Sequence, residues 1–253
     1  YMMTSWPLNK LSIKRFGSVN STNETAINLL KNRDFFNWII ADQQIDGRGR
    51  RGNTWSSPVG GLYATTVIND AKIDYSHMSQ LSILSAVVAA KTIEELIGKN
   101  KIYLKWPNDI FMDDKKLCGV LLESICIEDK FYLIVGFGIN IRFARNKNEA
   151  NFSYLQEVYE NVSIEECFNK LIINFNKMIN KWDYGKSFMN FRDYWLTLTR
   201  DHGRLIKAKK RNIMIEGFFE NIDDQGNLIL SAGSKKEIIN TGEIFSLDSH
   251  GKR

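Results

Sequence analysis

Gln44-Ile45-Asp46-Gly47-Arg48-Gly49-Arg50-Arg51-Gly52-Asn53-Thr54-Trp55-Ser56-Ser57 is the stretch on which the reading of this chain turns. An apolar run ending at Ile39-Ile40-Ala41 precedes it and Leu62-Tyr63-Ala64-Thr65-Thr66-Val67-Ile68 follows it, which predicts a short loop between two strands. Its glycines let the backbone take positive φ and approach a ligand closely. Its arginines supply permanent, forked positive charge suited to phosphate or carboxylate. No residue in it is a nucleophile or a metal cage, so its expected work is to stabilise charge, with Trp55 as an aromatic face for a base. Gly/Arg-rich segments also occur in flexible tails and in nucleic-acid binders. Those are long and repetitive; this one is short and framed by strands, which favours a small anionic ligand.

Around that loop, the bulk properties exclude several classes. A chain of 253 residues with 43% hydrophobic and 25% charged residues can bury a large core, with room for a small second domain. The net charge of +5 suits an anionic substrate or an acidic protein partner but falls short of a dedicated nucleic-acid face. Cys118, Cys126 and Cys167 have neither zinc nor redox spacing and read as thiols of a reducing cytoplasm. The start lacks a signal-peptide pattern, and the run from Ser79 to Ala90 is broken by Gln80, Ser82 and Ser85. The expectation is a cytoplasmic protein with no membrane association.

N-terminal to the loop, Leu11–Phe16 alternates as a strand, and Ser21-Thr22-Asn23-Glu24 reads as a capping box opening a helix. These residues present donors and acceptors at a helix N-terminus, so a plain cap and a ligand contact both remain open. C-terminal to it, Ser76–Leu96 is a buried helix closed by Gly98. Lys105-Trp106-Pro107-Asn108-Asp109 ends a strand and turns. A hairpin follows through Asp113-Asp114-Lys115-Lys116, and then a strand with Gly136-Phe137-Gly138-Ile139-Asn140, whose glycines mark a close approach to the backbone. A second capping box at Ser163–Glu166 precedes a helical stripe from Phe168 to Trp182, and a further helix ends near Arg200. From Gly203 the pattern changes to short strands, giving domains at 1–202 and 203–253. The run Lys207, Lys209, Lys210 and Arg211 reads as a solvated turn.

Taken together, Ser-Thr-Asn at 21–23, Gly-Arg-Gly-Arg-Arg-Gly at 47–52 with Trp55, Lys-Trp-Pro-Asn-Asp at 105–109, Lys-Leu-Cys-Gly at 116–119 and Gly-Phe-Gly-Ile-Asn at 136–140 resemble the biotin protein ligases over essentially the whole chain. The resemblance implies an α/β (α+β) fold. A mixed sheet packed by helices would form a catalytic domain related to lipoate ligases, followed by an SH3-like β-barrel. It implies the short form, lacking an N-terminal DNA-binding domain. The implied reaction joins biotin to ATP as biotinyl-5′-AMP, with Mg2+, and then transfers biotin to a lysine of a biotin carboxyl carrier protein. A homodimer is compatible with the family; nucleic acid is not an expected partner.

By that resemblance Ser21, Thr22, Asn23 and Gln44 would bind the ureido head, and Arg48, Gly49 and Arg50 would line the ligand. The side chains of Arg48 and Arg50 would meet phosphate and carboxylate oxygens. Lys116 would sit at the reacting carboxylate and α-phosphate beside Gly119. Trp55 would stack near adenine and Asn140 would read its edge. Lys105 and Asp109 are further candidates, for phosphate contact and for metal or acceptor-lysine orientation. Three positions depart from the pattern: Cys118, where a small residue is usual; Asp46, a carboxylate beside bound anions; and Glu220, where some relatives carry an arginine toward the nucleotide. No nucleotide contact is therefore expected from the C-terminal domain. A lipoate or octanoate ligase is the alternative enzyme, and a nucleic-acid-binding module the alternative of another class.

Overall fold

The computed structural model describes residues 11–142, 151–210, 213–240 and 242–246. Seven strands form a mixed sheet in the order β1-β2-β3-β7-β6-β5-β4: β1 (Ile13–Val19), β2 (Trp38–Gln44), β3 (Leu62–Ile68), β4 (Tyr103–Lys105), β5 (Asp109–Met112), β6 (Lys115–Ile127) and β7 (Lys130–Ile139). Only β1 and β2 run parallel, joined by the crossover helix α1 (Thr22–Lys31); the other neighbours are antiparallel.

Both faces of the sheet are covered, which explains why the start of β2 is a continuous apolar run. Trp38 and Ile40 enter the larger core with α2 (Met78–Ile97) and α3 (Ile164–Trp182), while Ile39 between them packs with Ala26 of α1 and Ile134. Trp38 meets Phe168 and Phe175 of α3 edge-on, with centroids 5.7 and 5.5 Å apart. β2 then leaves the core at Asp42 and delivers Gln44 to the start of the Gly/Arg loop.

α4 (Phe188–Leu198) leads into a five-stranded antiparallel sheet of order β11-β10-β9-β8-β12. Its strands are β8 (Leu205–Lys210), β9 (Ile213–Ile222), β10 (Leu228–Ala232), β11 (Lys235–Ile239) and β12 (Glu243–Ser246). Its interior residues, Ile206, Phe219, Leu230 and Ile244 among them, belong to the same core as the large sheet. The sequence pattern marks strands at Arg204–Ala208, Ile213–Glu220 and Asn227–Leu230, which fall on β8, β9 and β10; β11 and β12 are too short to show a period.

Two local readings are corrected. Ser21 occupies the N-cap of α1, but its side chain makes no capping bond, whereas Ser163 at the start of α3 accepts from the Glu166 amide. The basic run is strand rather than turn: Lys207, Lys209 and Lys210 lie within β8, where Lys207 and Lys210 pair with Glu216 and Glu237 at 3.6 Å. Arg211 lies outside the described residues.

Candidate active site

The loop after β2 is folded back on itself. Bridges pair Gln44 with Ser57 and Arg48 with Thr54, and the Gly49 amide donates to the Asn53 carbonyl at 2.7 Å. Positive φ falls at Arg51 (57°) and Gly52 (77°). Gly47 is required for space instead, since a Cβ there would stand 2.2 Å from the Trp55 carbonyl oxygen.

This loop, the start of α1, the turn into β5, the first half of β6, the end of β7, and Gly242 and Glu243 at the start of β12 enclose one cavity. It holds Ser21, Thr22, Asn23, Gln44, Arg48, Gly49, Arg50, Trp55, Asp109, Lys116 and Gly119. It does not hold Asn140 or Lys105. Asn140 donates its side-chain amide to the Lys116 carbonyl at 3.1 Å, and the Lys105 ammonium stands over the Phe111 ring. Asp46 is exposed and off this cavity wall, and Glu220 pairs with Lys236.

β6 and β7 pave the floor with the pairs Gly119–Gly138 and Leu121–Gly136. The glycines make room for the protein's own side chains. A Cβ on Gly136 would stand 2.3 Å from Asn23 Oδ1, and one on Gly138 would stand 2.5 Å from Trp55 Nε1. Trp55 thus packs against Gly138 and Gly119, with its indole N–H buried and without a hydrogen bond among the described residues and with Phe152 against it edge-on.

At the Gly136 end the cavity is lined by neutral hydrogen-bonding groups, with the ion pairs of Arg48 to Glu24 and Glu123 beside them. The backbone N–H and hydroxyl of Thr22 both donate to Gln44 Oε1, at 2.8 and 3.1 Å, and Gln44 Nε2 donates to Ser57 Oγ at 2.7 Å. Asn23 is largely committed to the protein: Oδ1 accepts from Thr65 at 2.8 Å and Nδ2 donates to Glu123 at 2.8 Å and to the Leu121 carbonyl. The Ser21 side chain makes no capping bond and lines the cavity. Its hydroxyl is available to a ligand there.

The Gly119 end is charged. Lys116 Nζ lies 2.8 Å from Asp109 Oδ2 and 5.2 Å from the centre of the Trp55 ring. Its backbone is held by Asn151, Ser153 and Asn140. Arg50 donates to Asn108 Oδ1 at 3.3 Å, and the Asn108 amide donates to the Val120 carbonyl. Burial lowers the Arg50 pKa, Asp109 opposes that, Arg51 adds to it and Glu243 again opposes. The guanidinium keeps its charge at neutral pH. Arg51 is turned to the second sheet, donating to the Lys209 carbonyl at 3.1 Å. Arg48 faces Glu24 at 3.1 Å and Glu123 at 4.0 Å.

Sequence reasoning named neither Asn108, Glu123 nor Glu243 as site residues. Asn108 carried a signal, since it stands inside the Lys105–Asp109 motif; the others are single acids that no motif marks. Among the described residues no group of three or more His, Cys, Asp or Glu could hold a metal, and no helix is long and apolar enough to cross a membrane.

A cavity with a neutral hydrogen-bonding end and a cationic end, built on this mixed sheet, is that of an acid-activating ligase, and the chain matches the biotin/lipoate A/B protein ligase family over residues 16–140. Residues 201–246 match the biotin protein ligase C-terminal domain. A biotin–[acetyl-CoA-carboxylase] ligase of Paracoccus denitrificans is 30% identical over 235 residues, 89% of this chain and 97% of the relative. The Bacillus subtilis bifunctional ligase/repressor BirA is 29% identical, over 89% of this chain and 71% of its own length. The structure of the Aquifex aeolicus biotin protein ligase in complex with biotin and ATP superposes with a TM-score of 0.78 at 27% identity, covering 92% of this chain and 97% of that one. The chain belongs to the biotin protein ligase family.

Proposed function

We propose that the protein activates biotin with ATP and attaches it to a lysine of a biotin carboxyl carrier protein. The observation that carries this reading is the polarity of the cavity: neutral partners for a ureido head at one end and Lys116 and Arg50 at the other, with Trp55 between. A biotin carboxylate oxygen attacks the α-phosphorus of ATP, the bond to the bridging oxygen breaks, and pyrophosphate leaves. The lysine amine of the carrier then attacks the acyl carbon of biotinyl-5′-AMP, losing a proton as the amide forms and AMP departs.

Both steps bring anions together, so fixed cations and orientation supply the rate rather than a covalent enzyme intermediate. Ser21, Thr22 and Gln44 hold the head. Lys116 stands at the carboxylate and α-phosphate. Arg50, braced by Asn108, meets phosphate oxygens, and Trp55 gives the adenine an apolar surface. Asn140 acts through Lys116, whose carbonyl it holds. Asp109 fits a magnesium ion that arrives with the nucleotide, because Mg2+ takes one or two carboxylates and completes its shell with phosphates and water. Bound there, the ion would neutralise the triphosphate. Residues 1–202 form the catalytic unit and 203–253 the smaller one, which reaches the cavity through Glu243.

The test is exchange of labelled pyrophosphate into ATP. Exchange that requires biotin and is not supported by lipoate establishes activation of biotin at this site and leaves the carrier to be identified. A lipoyl chain would leave Ser21 and the Thr22–Gln44 pair without ligand partners, a loss of several powers of ten in selectivity. Exchange with lipoate alone transfers the assignment to the lipoate branch of the fold.

A further inference from the structure

Arg48 stands on the cavity wall, yet its guanidinium is occupied from the protein side. Nη2 lies 3.1 Å from Glu24 Oε2 in the first turn of α1, and Nη1 lies 4.0 Å from Glu123 Oε1 on β6. Glu123 serves two masters: its other oxygen, Oε2, accepts from Asn23 Nδ2 at 2.8 Å. Asn23 in turn is pinned by Thr65 and pressed on Gly136 at the neutral end of the cavity. One carboxylate therefore hydrogen-bonds the wall of the head-group pocket and stands at ion-pair distance from the loop above it. Gly119, Leu121 and Glu123 share one face of β6, so the contact extends the row that floors the cavity.

Resting on the reading of the cavity as an acid-activating site, we propose that Glu123 and Glu24 latch the Gly/Arg loop through Arg48, and that Glu123 is the positioning residue coupling occupation of the head-group pocket to loop closure. Arg48 is thus a latch, and Arg50 and Lys116 are left to meet the phosphates. The physical reason is reciprocity. Asn23 fixed by a ligand beside it holds Glu123 where Arg48 can reach it, and a closed loop holds Glu123 where Asn23 can reach it. Glu24 lacks the link to Asn23 and anchors the loop whether or not the pocket is filled. All three side chains are 28–39% exposed, so each ion pair is modest and the latch opens readily. That suits a loop that must admit substrates and then exclude water from an acyl phosphate.

The experiment is limited trypsin cleavage within residues 48–51, timed for wild type, Glu24→Gln, Glu123→Gln and Glu123→Ala, each without ligand and with biotin alone. Both Gln variants should be nicked about two- to fivefold faster than wild type without ligand, the effect expected of losing one part-exposed ion pair. Biotin should slow nicking of wild type and of Glu24→Gln but not of Glu123→Gln. Gln at 123 still accepts from Asn23, so its KM for biotin in pyrophosphate exchange should rise by no more than the about two- to fivefold that the lost coupling carries. Its escape of biotinyl-5′-AMP to free amines should rise severalfold. Glu123→Ala, which strips the Asn23 acceptor as well, should raise the biotin KM. A merely structural role would lower thermal stability without separating leakage from KM. Unchanged nicking in both Gln variants, or full protection of Glu123→Gln by biotin, overturns the proposal. Ligand-free nicking reads the latch even if exchange does not require biotin, so loss of the functional reading and loss of the latch are distinguishable.

Discussion

Lys116→Ala tests the division between binding and chemistry. In the structure the ammonium is held by Asp109 at 2.8 Å over the Trp55 ring, and its backbone is fixed on three sides. A cation about 4 Å from charge developing at the α-phosphate gains about 4 kcal/mol at the effective dielectric of a protein surface cleft. Leaving Asp109, in a pair whose side chains are 27% and 31% exposed, costs about 1 kcal/mol. The remaining ~3 kcal/mol corresponds to roughly a hundredfold loss in the adenylation rate. The biotin Kd should change little, because the neutral groups Ser21, Thr22 and Gln44 lie at the other end of the cavity. Single-turnover formation of biotinyl-5′-AMP, measured with titration calorimetry of biotin on the same variant, reads both quantities. Lys116→Arg should not restore the rate, since a planar fork replaces a compact charge whose position the neighbours fix. An unchanged single-turnover rate in Lys116→Ala, or a biotin affinity that falls in step with it, would refute the assignment.

Gly136→Ala and Gly138→Ala should separate the two ends. The first drives a methyl into Asn23 and should raise the biotin KM above the ATP KM. The second displaces Trp55 and should do the reverse, each at about 1–3 kcal/mol of stability by thermal melts. Gln80→Leu should cost about 2–4 kcal/mol and lower Tm by roughly 5–15 °C, with adenylation at 25 °C retained. Gln80 accepts from Trp182 Nε1 at 2.8 Å and donates to the Asp224 carbonyl at 2.6 Å, tying α2 to α3 and to the second sheet, and leucine leaves both groups unpaired. Iodoacetamide at pH 8 should label Cys126 alone in the folded protein, as shown by peptide mass mapping. Cys126 is exposed, whereas burial pushes the Cys118 thiol well up and that of Cys167 to about 12. For Cys167 the folded pKa exceeds the ordinary 9.0, so its contribution to stability is complete below pH 9 and is lost as pH rises toward 12. A folded protein alkylated at Cys167 at pH 8 would contradict this.

The elements that the sequence disclosed are those whose reason is local. α3 shows its buried face as a 3.6-residue stripe from Phe168 to Trp182, and β2 shows that both its faces are covered by having no polar residue from Trp38 to Ala41. The site was legible to the extent that it is made of loops whose composition has no other use: glycines beside arginines, and a proline that ends β4 before Asn108. What stayed hidden depends on contacts between residues far apart in the chain. Gly136 and Gly138 announced a close approach to the backbone, but only the fold shows that Asn23 and Trp55 make it. Ser21 and Glu24 match a capping box by their spacing. The helix forgoes the reciprocal half of that box because the Glu24 side chain turns outward to Arg48, while the first amide of the helix, that of Thr22, is satisfied by Gln44. A good local cap lost to a tertiary contact leaves the Ser21 side chain on the cavity wall. The failed cap is therefore itself a sign of the site, because local rules break where the chain is arranged for a ligand rather than for itself.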